Sequence, residues 1–368
     1  MIRNWSIPAG RIFGVSIRIH LTFFFLLIFV WMTESLVKGG AGVARGLALV
    51  AMIFGSVILH ELGHALVALH SGVPVRSIIL LPIGGITLMD ETEAPGKHDP
   101  GRDIRIAIAG PLVNVVLAFL AAVLVISVAP EMQLWIHPHV HSGNLLRSLV
   151  WANIYLAGFN LLPAYPMDGG RILRTLFARR MDYLRATRRA VTIGQAFAML
   201  FILIGIWNTW LMLIGFFLFV GAQMEERTAV FQSVLEKVRM EDVMLTDFAT
   251  LSPADTLEDA LSKAVHSLQD DFPVVRDADM VGTISRQKIL DALRTHGNGY
   301  VQAVMNRAYE VAQKHESLAS AFRKISARGL TLIPVVENER LVGIVTLQNL
   351  MHSMALLAES RKLRRQMA

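Results

Sequence analysis

Apolar positions run in long blocks through the first 224 residues, then in short clusters separated by charged residues. Six blocks stand out, at 21–37, 46–70, 104–129, 145–162, 191–207 and 209–222. A helix needs about 20 mostly apolar residues to cross a hydrocarbon core of about 30 Å, so these blocks predict a membrane helical bundle, the first and last being short for the task. Trp207 and Trp210 flank a tight turn at Asn208 and suit an interfacial belt. Between the second and third blocks, residues 78–89 with Gly84-Gly85 in the middle predict a small β-hairpin. The change of character comes where 216–220 gives way to Gln223, Glu225, Glu226 and Arg227.

Composition agrees with membrane spans. Of 368 residues, 54% are hydrophobic, more than one soluble core of this size can hide. The absence of cysteine excludes disulfides, thiolate metal sites and cysteine nucleophiles. The net charge of +6 reads as loop lysine and arginine rather than a nucleic-acid surface. Arg3, Arg11 and Arg18 precede the first block and no small-residue cleavage site follows, so a retained first span is expected.

Arginine distribution predicts orientation. Arg171, Arg174, Arg179, Arg180, Arg185, Arg188 and Arg189 lie between blocks four and five, and Arg76, Lys97, Arg102 and Arg105 before or at the very start of block three. Only Arg147, at the start of block four, lies near the stretch between blocks three and four. The positive-inside rule then predicts a multi-pass protein of the cell membrane, with both termini, the loops after blocks two and four and the opening of any active site in the cytoplasm.

The second block contains His60-Glu61-Leu62-Gly63-His64. Histidines at i and i+4 share one helix face, so both imidazoles can grip one metal ion, and the intervening glutamate can take a proton from a water. Zinc suits nitrogen ligands and keeps an open position at catalytic sites. Ionisable groups inside a span are functional by default, although a polar inter-helix cavity is the bland alternative. The set is one ligand short. Asp168, in Asn160-Leu161-Leu162-Pro163-Ala164-Tyr165-Pro166-Met167-Asp168-Gly169-Gly170, can reach inward from a proline-broken helix end, or can sit solvated in an interfacial turn. His137, His139 and His141 read as a solvated external loop rather than a metal site, and His20 as interfacial.

The pairing of H-E-x-x-H with N-x-x-P-x-x-P-x-D-G resembles the site-2 protease family of intramembrane metalloproteases, across the whole membrane half. The resemblance implies one Zn2+ held by His60, His64 and Asp168, with Glu61 as catalytic base. Asn160, Pro163 and Pro166 match a loop that helps to position substrate. Ala109-Gly110-Pro111-Leu112-Val113-Asn114 resembles the family's third-span motif, making Asn114 either a donor to the oxyanion or an interhelical hydrogen-bonding residue. The hairpin matches a strand near the catalytic opening, where a substrate strand could pair, or is a structural hairpin alone.

Beyond 240 the chain repeats itself at a constant offset of 61 positions: Val243-Met244 returns as Val304-Met305, Leu257 as Leu318, Val274 as Val335 and Gly282 as Gly343. Each copy reads as helix, two short strands and helix, and resembles a CBS domain, a module that commonly binds adenine nucleotides. The acidic ribose-binding residue expected after the G-x-x-[ST] turn is absent, Lys288 and Asn349 standing in its place. The pair is therefore a nucleotide sensor, with lysine meeting phosphate, or a structural and homodimerising element. Arg361, Lys362, Arg364 and Arg365 form a basic tail able to touch anionic lipid.

The fold expected is thus a membrane α-helical bundle of about six spans with a small β-hairpin, followed by a soluble α+β tandem CBS pair. Its parts are a protease domain at 1–224, a linker at 225–240, repeats at 241–296 and 302–357, and a tail at 358–368. The function expected is hydrolysis of membrane-anchored or membrane-associated proteins, regulated through the CBS pair. The alternative is a CBS-gated zinc-binding transporter or channel, which needs ligands but no base, so that Glu61→Gln separates the two.

Overall fold

A computed structural model describes residues 5–89 and 99–349, apart from 268, 278, 308, 322–323, 325–329, 331, 338–339 and 347–348. Arg3, Lys97, the end of the second repeat from 350 onward and the basic tail lie outside the described residues. The chain divides into two compact units, Met1–Val230 and Phe231–Ala368.

The first unit opens with strands β1 (Ser6–Ile12) and β2 (Val15–His20), then helix α1 (Thr22–His70). Gly39, at φ 68°, breaks α1 into Thr22–Leu36 and Gly39–His70, a left-handed backbone that glycine adopts without a side-chain clash. Strands β3 (Val75–Leu81) and β4 (Gly84–Met89) follow. Then come α2 (Pro100–Val128), α3 (Leu145–Asn160), α4 (Asp168–Ala178), α5 (Tyr183–Ile204), a 3-10 turn Gly205–Trp207 and α6 (Thr209–Lys237). The stretch read as a linker is helical as far as Lys237.

Among the described residues three helices are long and apolar enough to cross a membrane: Gly39–His70, Pro100–Val128 and Tyr183–Trp207. The other expected spans fall short for visible reasons. Thr22–Leu36 is ended early by the break at Gly39, α3 stops after 16 residues, and α6 runs into Glu225, Glu226 and Arg227. The turn at Asn208 is present, its side chain accepting the Trp210 amide at 3.1 Å, with both tryptophans exposed.

The hairpin is the far half of a sheet ordered β1-β2-β3-β4, with β2 and β3 parallel and the two outer pairs antiparallel. The sequence reading missed β1 and β2. Its N-terminal charge joins the sheet instead: Arg18 Nε donates to Ser6 Oγ at 2.7 Å, and His20 ends β2 with Nδ1 2.8 Å from the Thr22 hydroxyl. Ile78, Ile79 and Leu80 of β3 are fully or nearly buried, and Ile78 packs with Val15, Leu62 and Ala65. The sheet is thereby fixed against the half of α1 that carries the histidines.

In the second unit the repeat is exact in register. Strands β5 (Asp271–Arg276) and β6 (Asp279–Ser285) recur 61 residues later as β8 (Leu332–Glu337) and β9 (Arg340–Thr346), with Val274 opposite Gly282 and Val335 opposite Gly343. Helices α7 (Leu257–Val265), α8 (Arg286–His296) and the short α9 (Val301–Val304) complete the first copy and begin the second, and β7 (Ala312–Gln313) pairs with β8. Each copy lends a bridge to the other: Asn306 pairs with Thr283, and its counterpart Leu245 with Ile344. Two cores result, one around Phe272, Ile284 and Ile289, the other around Leu318, Ile333 and Val345.

Candidate metal centre

His60 and His64 lie one turn apart on α1, both nearly inaccessible at 5% and 4% exposure. Their Nε2 atoms are 3.1 Å apart, and Asp168 Oδ2 lies 3.3 Å from the first and 3.1 Å from the second. Among the described residues this is the only group of three or more histidine, aspartate or glutamate side chains able to hold a metal ion.

The polar surroundings fix which atoms face inward. His64 Nδ1 donates to the Ile106 carbonyl at 2.6 Å, and His60 Nδ1 donates to Asn114 Oδ1 at 2.8 Å. Carbonyl oxygens only accept, so each Nδ1 carries a proton and each Nε2 keeps a lone pair. Two imidazole lone pairs and a carboxylate oxygen aimed at one point repel unless a cation stands between them. The spacing suits that cation. Tetrahedral zinc about 2.0–2.1 Å from its ligands separates them by roughly 3.3 Å. The donor set therefore fits Zn2+.

Asp168 reaches the imidazoles because the chain turns sharply before it. Pro163 and Pro166 interrupt helical hydrogen bonding after α3, and Asp168 begins α4. A β-carbon on Gly169 would lie 2.6 Å from the Leu161 carbonyl carbon, so only glycine lets α4 lie so close to the preceding turn. Gly110 has the same role on α2: a β-carbon there would lie 2.6 Å from His60 Nε2 and nearer still to His64 Nε2.

Glu61 is 9% exposed, and its Oε2 accepts from the Thr87 hydroxyl at 2.5 Å. Thr87 was not singled out from sequence, because its place depends on strand register. Asn114 is fully buried and makes the interhelical bond to His60, while its Nδ2 has no hydrogen-bond partner among the described residues. Asn160 does not join the cluster; its Nδ2 donates to Leu156 O at 2.9 Å within its own helix. Pro163 is half-buried in the turn, and Pro166 packs near Gly221 of α6.

Among the described residues His137, His139 and His141 gather no acidic ligand. His139 stacks on Trp151 with ring centroids 3.9 Å apart, and its Nδ1 lies 2.5 Å from the Tyr155 hydroxyl. His137 and His139 form an aromatic cluster with Trp151, while His137 and His141 stay exposed, as expected of a solvated loop.

Residues 48–134 and 136–201 match Peptidase family M50. A zinc metalloprotease of Methanocaldococcus jannaschii is 30% identical over 363 residues, covering 98% of this chain and 99% of that protein. The chain belongs to peptidase family M50, the site-2 proteases. Rip3 of Mycobacterium tuberculosis, named as a zinc metalloprotease, is 29% identical over 373 residues, with 93% of this chain and 91% of that one covered. A solved site-2 protease from M. jannaschii is 37% identical, covering 61% of this chain and 96% of that one, with a TM-score of 0.45. Residues 240–295 and 301–356 match the CBS domain. This M50 chain is a zinc metalloprotease with two CBS domains, and its apolar helices give it membrane character. The transporter alternative loses its footing.

Proposed function

We propose that this M50 protease hydrolyses peptide bonds of membrane-anchored or membrane-associated proteins, using a Zn2+ held by His60, His64 and Asp168. The observation that carries this is the convergence of two imidazole nitrogens and one carboxylate oxygen within 3.3 Å, each imidazole being held from behind by a carbonyl. Zinc at such a site polarises a carbonyl and makes water acidic enough to attack near neutral pH. Glu61 takes the proton from the attacking water and returns it to the leaving amine. Asn114 orients His60 and keeps Nδ2 as a donor for the oxygen of the scissile carbonyl. Pro163 and Pro166 shape the turn that presents Asp168, and Asn160 flanks it.

The bundle is proposed to have six spans, with Thr22–Leu36, α3 and α6 joining the three long helices. The loops after the second and fourth spans, the active-site opening and both termini then face the cytoplasm. The CBS pair is proposed to regulate cleavage. Lys288 is exposed at the first repeat's turn, where it favours a phosphate-bearing effector, whereas Asn349 donates to Val243 O at 2.7 Å and serves its own fold. Adenine nucleotides added to the full chain should change the cleavage rate if the pair is a sensor; an unchanged rate with a dimer in solution favours the structural role.

The central test compares the parent with Glu61→Gln for zinc content and for membrane-protein fragments by mass spectrometry. Equal zinc with fragments in the parent alone is expected. Identical fragment profiles would overturn the proteolytic reading of this site.

A further inference from the structure

Ile78 of β3 and Thr87 of β4 are cross-strand partners in an antiparallel pair. Directly opposed residues share a sheet face, so both side chains point toward α1. Ile78 is fully buried against Leu62 and Ala65, which lie between and just after the two histidines on that helix. Thr87, held at the same level, meets Glu61: its hydroxyl lies 2.5 Å from Oε2. A hydroxyl has one proton to give, and the carboxylate oxygen takes it; the Glu61 backbone carbonyl, at 3.5 Å, is a poor competitor. One side of the carboxylate is thereby engaged. The strand also crowds the glutamate from behind, since a β-carbon on Gly85 would lie 2.5 Å from Glu61 Cγ.

We propose that Thr87 is a positioning residue for the catalytic base, making the β3-β4 hairpin part of the proton-transfer machinery. This rests on the reading of Glu61 as the base. A long glutamate side chain has three rotatable bonds, and most of its rotamers would carry the carboxylate away from the zinc ligands. A hydroxyl donor on a strand pinned by Ile78, with the Gly85 backbone behind, selects one of them. The other consequence concerns substrate. Among the described residues β4 is an edge strand of its sheet. Any chain that pairs along β4 also stiffens the strand that holds Thr87, so occupancy of the edge and orientation of the base become linked.

The test uses the full chain, with the membrane protein whose fragments distinguish parent from Glu61→Gln as the probe. Thr87→Val keeps the shape and removes the donor; Thr87→Ser keeps the donor and removes a methyl group. Loss of a hydrogen bond to a charged group predicts a fall in kcat of about tenfold or more for Thr87→Val, with little change in KM. Thr87→Ser should recover to within about threefold of the parent, and zinc content should equal the parent's in both variants. Parent-like kcat in Thr87→Val would overturn the proposal, and so would loss of zinc with activity, which would make Thr87 a structural residue. Thr87→Ser falling as far as Thr87→Val would also overturn it. If no fragment depends on Glu61, the reading of the base itself fails first. An inactive Glu61→Gln beside an unaffected Thr87→Val refutes the positioning role alone.

Discussion

Gly110 of α2 passes so close to His60 of α1 that a β-carbon on the glycine would lie 2.6 Å from Nε2. In an ordinary helix interior, glycine to alanine stabilises by about 0.8–1 kcal/mol. Here the added methyl points at the lone pairs of both imidazoles. Gly110→Ala should therefore cost the protein its metal, with zinc per chain falling at least tenfold by atomic absorption while helix content by circular dichroism is kept. Retained zinc would mean that α2 moves aside.

Asn114 offers a sharper probe of the same contact. Its Oδ1 accepts from His60 Nδ1, which holds the ring's tautomer. Asn114→Ala should weaken zinc affinity about 10–100-fold, the range for outer-shell partners of metal-bound histidines. Asn114→Asp keeps an acceptor at that place and should retain affinity near the parent's. Competition with a chelator of known affinity measures both.

How much of this was legible in the sequence depended on whether the signal was local. His60 and His64 announce themselves by helical spacing, and Asp168 by the prolines before it and the glycines after it. Thr87 carries no mark of its own: its meeting with Glu61 arises from the β3-β4 register and from Ile78 packing on Leu62. The strands β1 and β2 were a different kind of miss. Val15-Ser16-Ile17-Arg18-Ile19-His20 alternates apolar and polar residues, the period of a strand, but it adjoins a strongly apolar block and was absorbed into the approach to a span. Three of the six expected spans meet the length and composition a crossing needs among the described residues; of the others, Gly39 and the acids of α6 cut the apolar run of two.

Because the chain has no cysteine, single introduced cysteines report their side of the membrane without background. Glu131 and Arg179 are both exposed, in the stretches after α2 and after α4 respectively. In the proposed orientation, Glu131→Cys should react with a membrane-impermeant maleimide on intact cells. Arg179→Cys should react only after permeabilisation. The reverse pattern would invert the topology.

The second unit should show its own acid sensitivity. Burial alone would raise Glu316, but the Ser320 hydroxyl, the Lys324 ammonium and the Gln313 amide outweigh it and hold the carboxyl below its ordinary value. A lowered folded value stabilises above the unfolded one, about 4.3, and that stabilisation disappears as pH falls toward the folded value. Glu316→Gln should thus lower stability by on the order of 0.5–1 kcal/mol at pH 7, given its partial exposure. The difference from the parent should shrink between about pH 5 and pH 3. Hydrogen exchange of the β7-β8-β9 sheet in the full chain measures it.

His64 and Asp168 stand 104 residues apart in sequence. An ion shared by them cross-links the folded chain as a clasp does, closing a loop that encloses the hairpin, α2 and α3. Metal supply then governs more than chemistry. Starved of zinc, the protein should open at that seam, exchanging amide protons in α4 and at the end of α1 sooner than elsewhere, and become prey to the membrane's quality-control proteases.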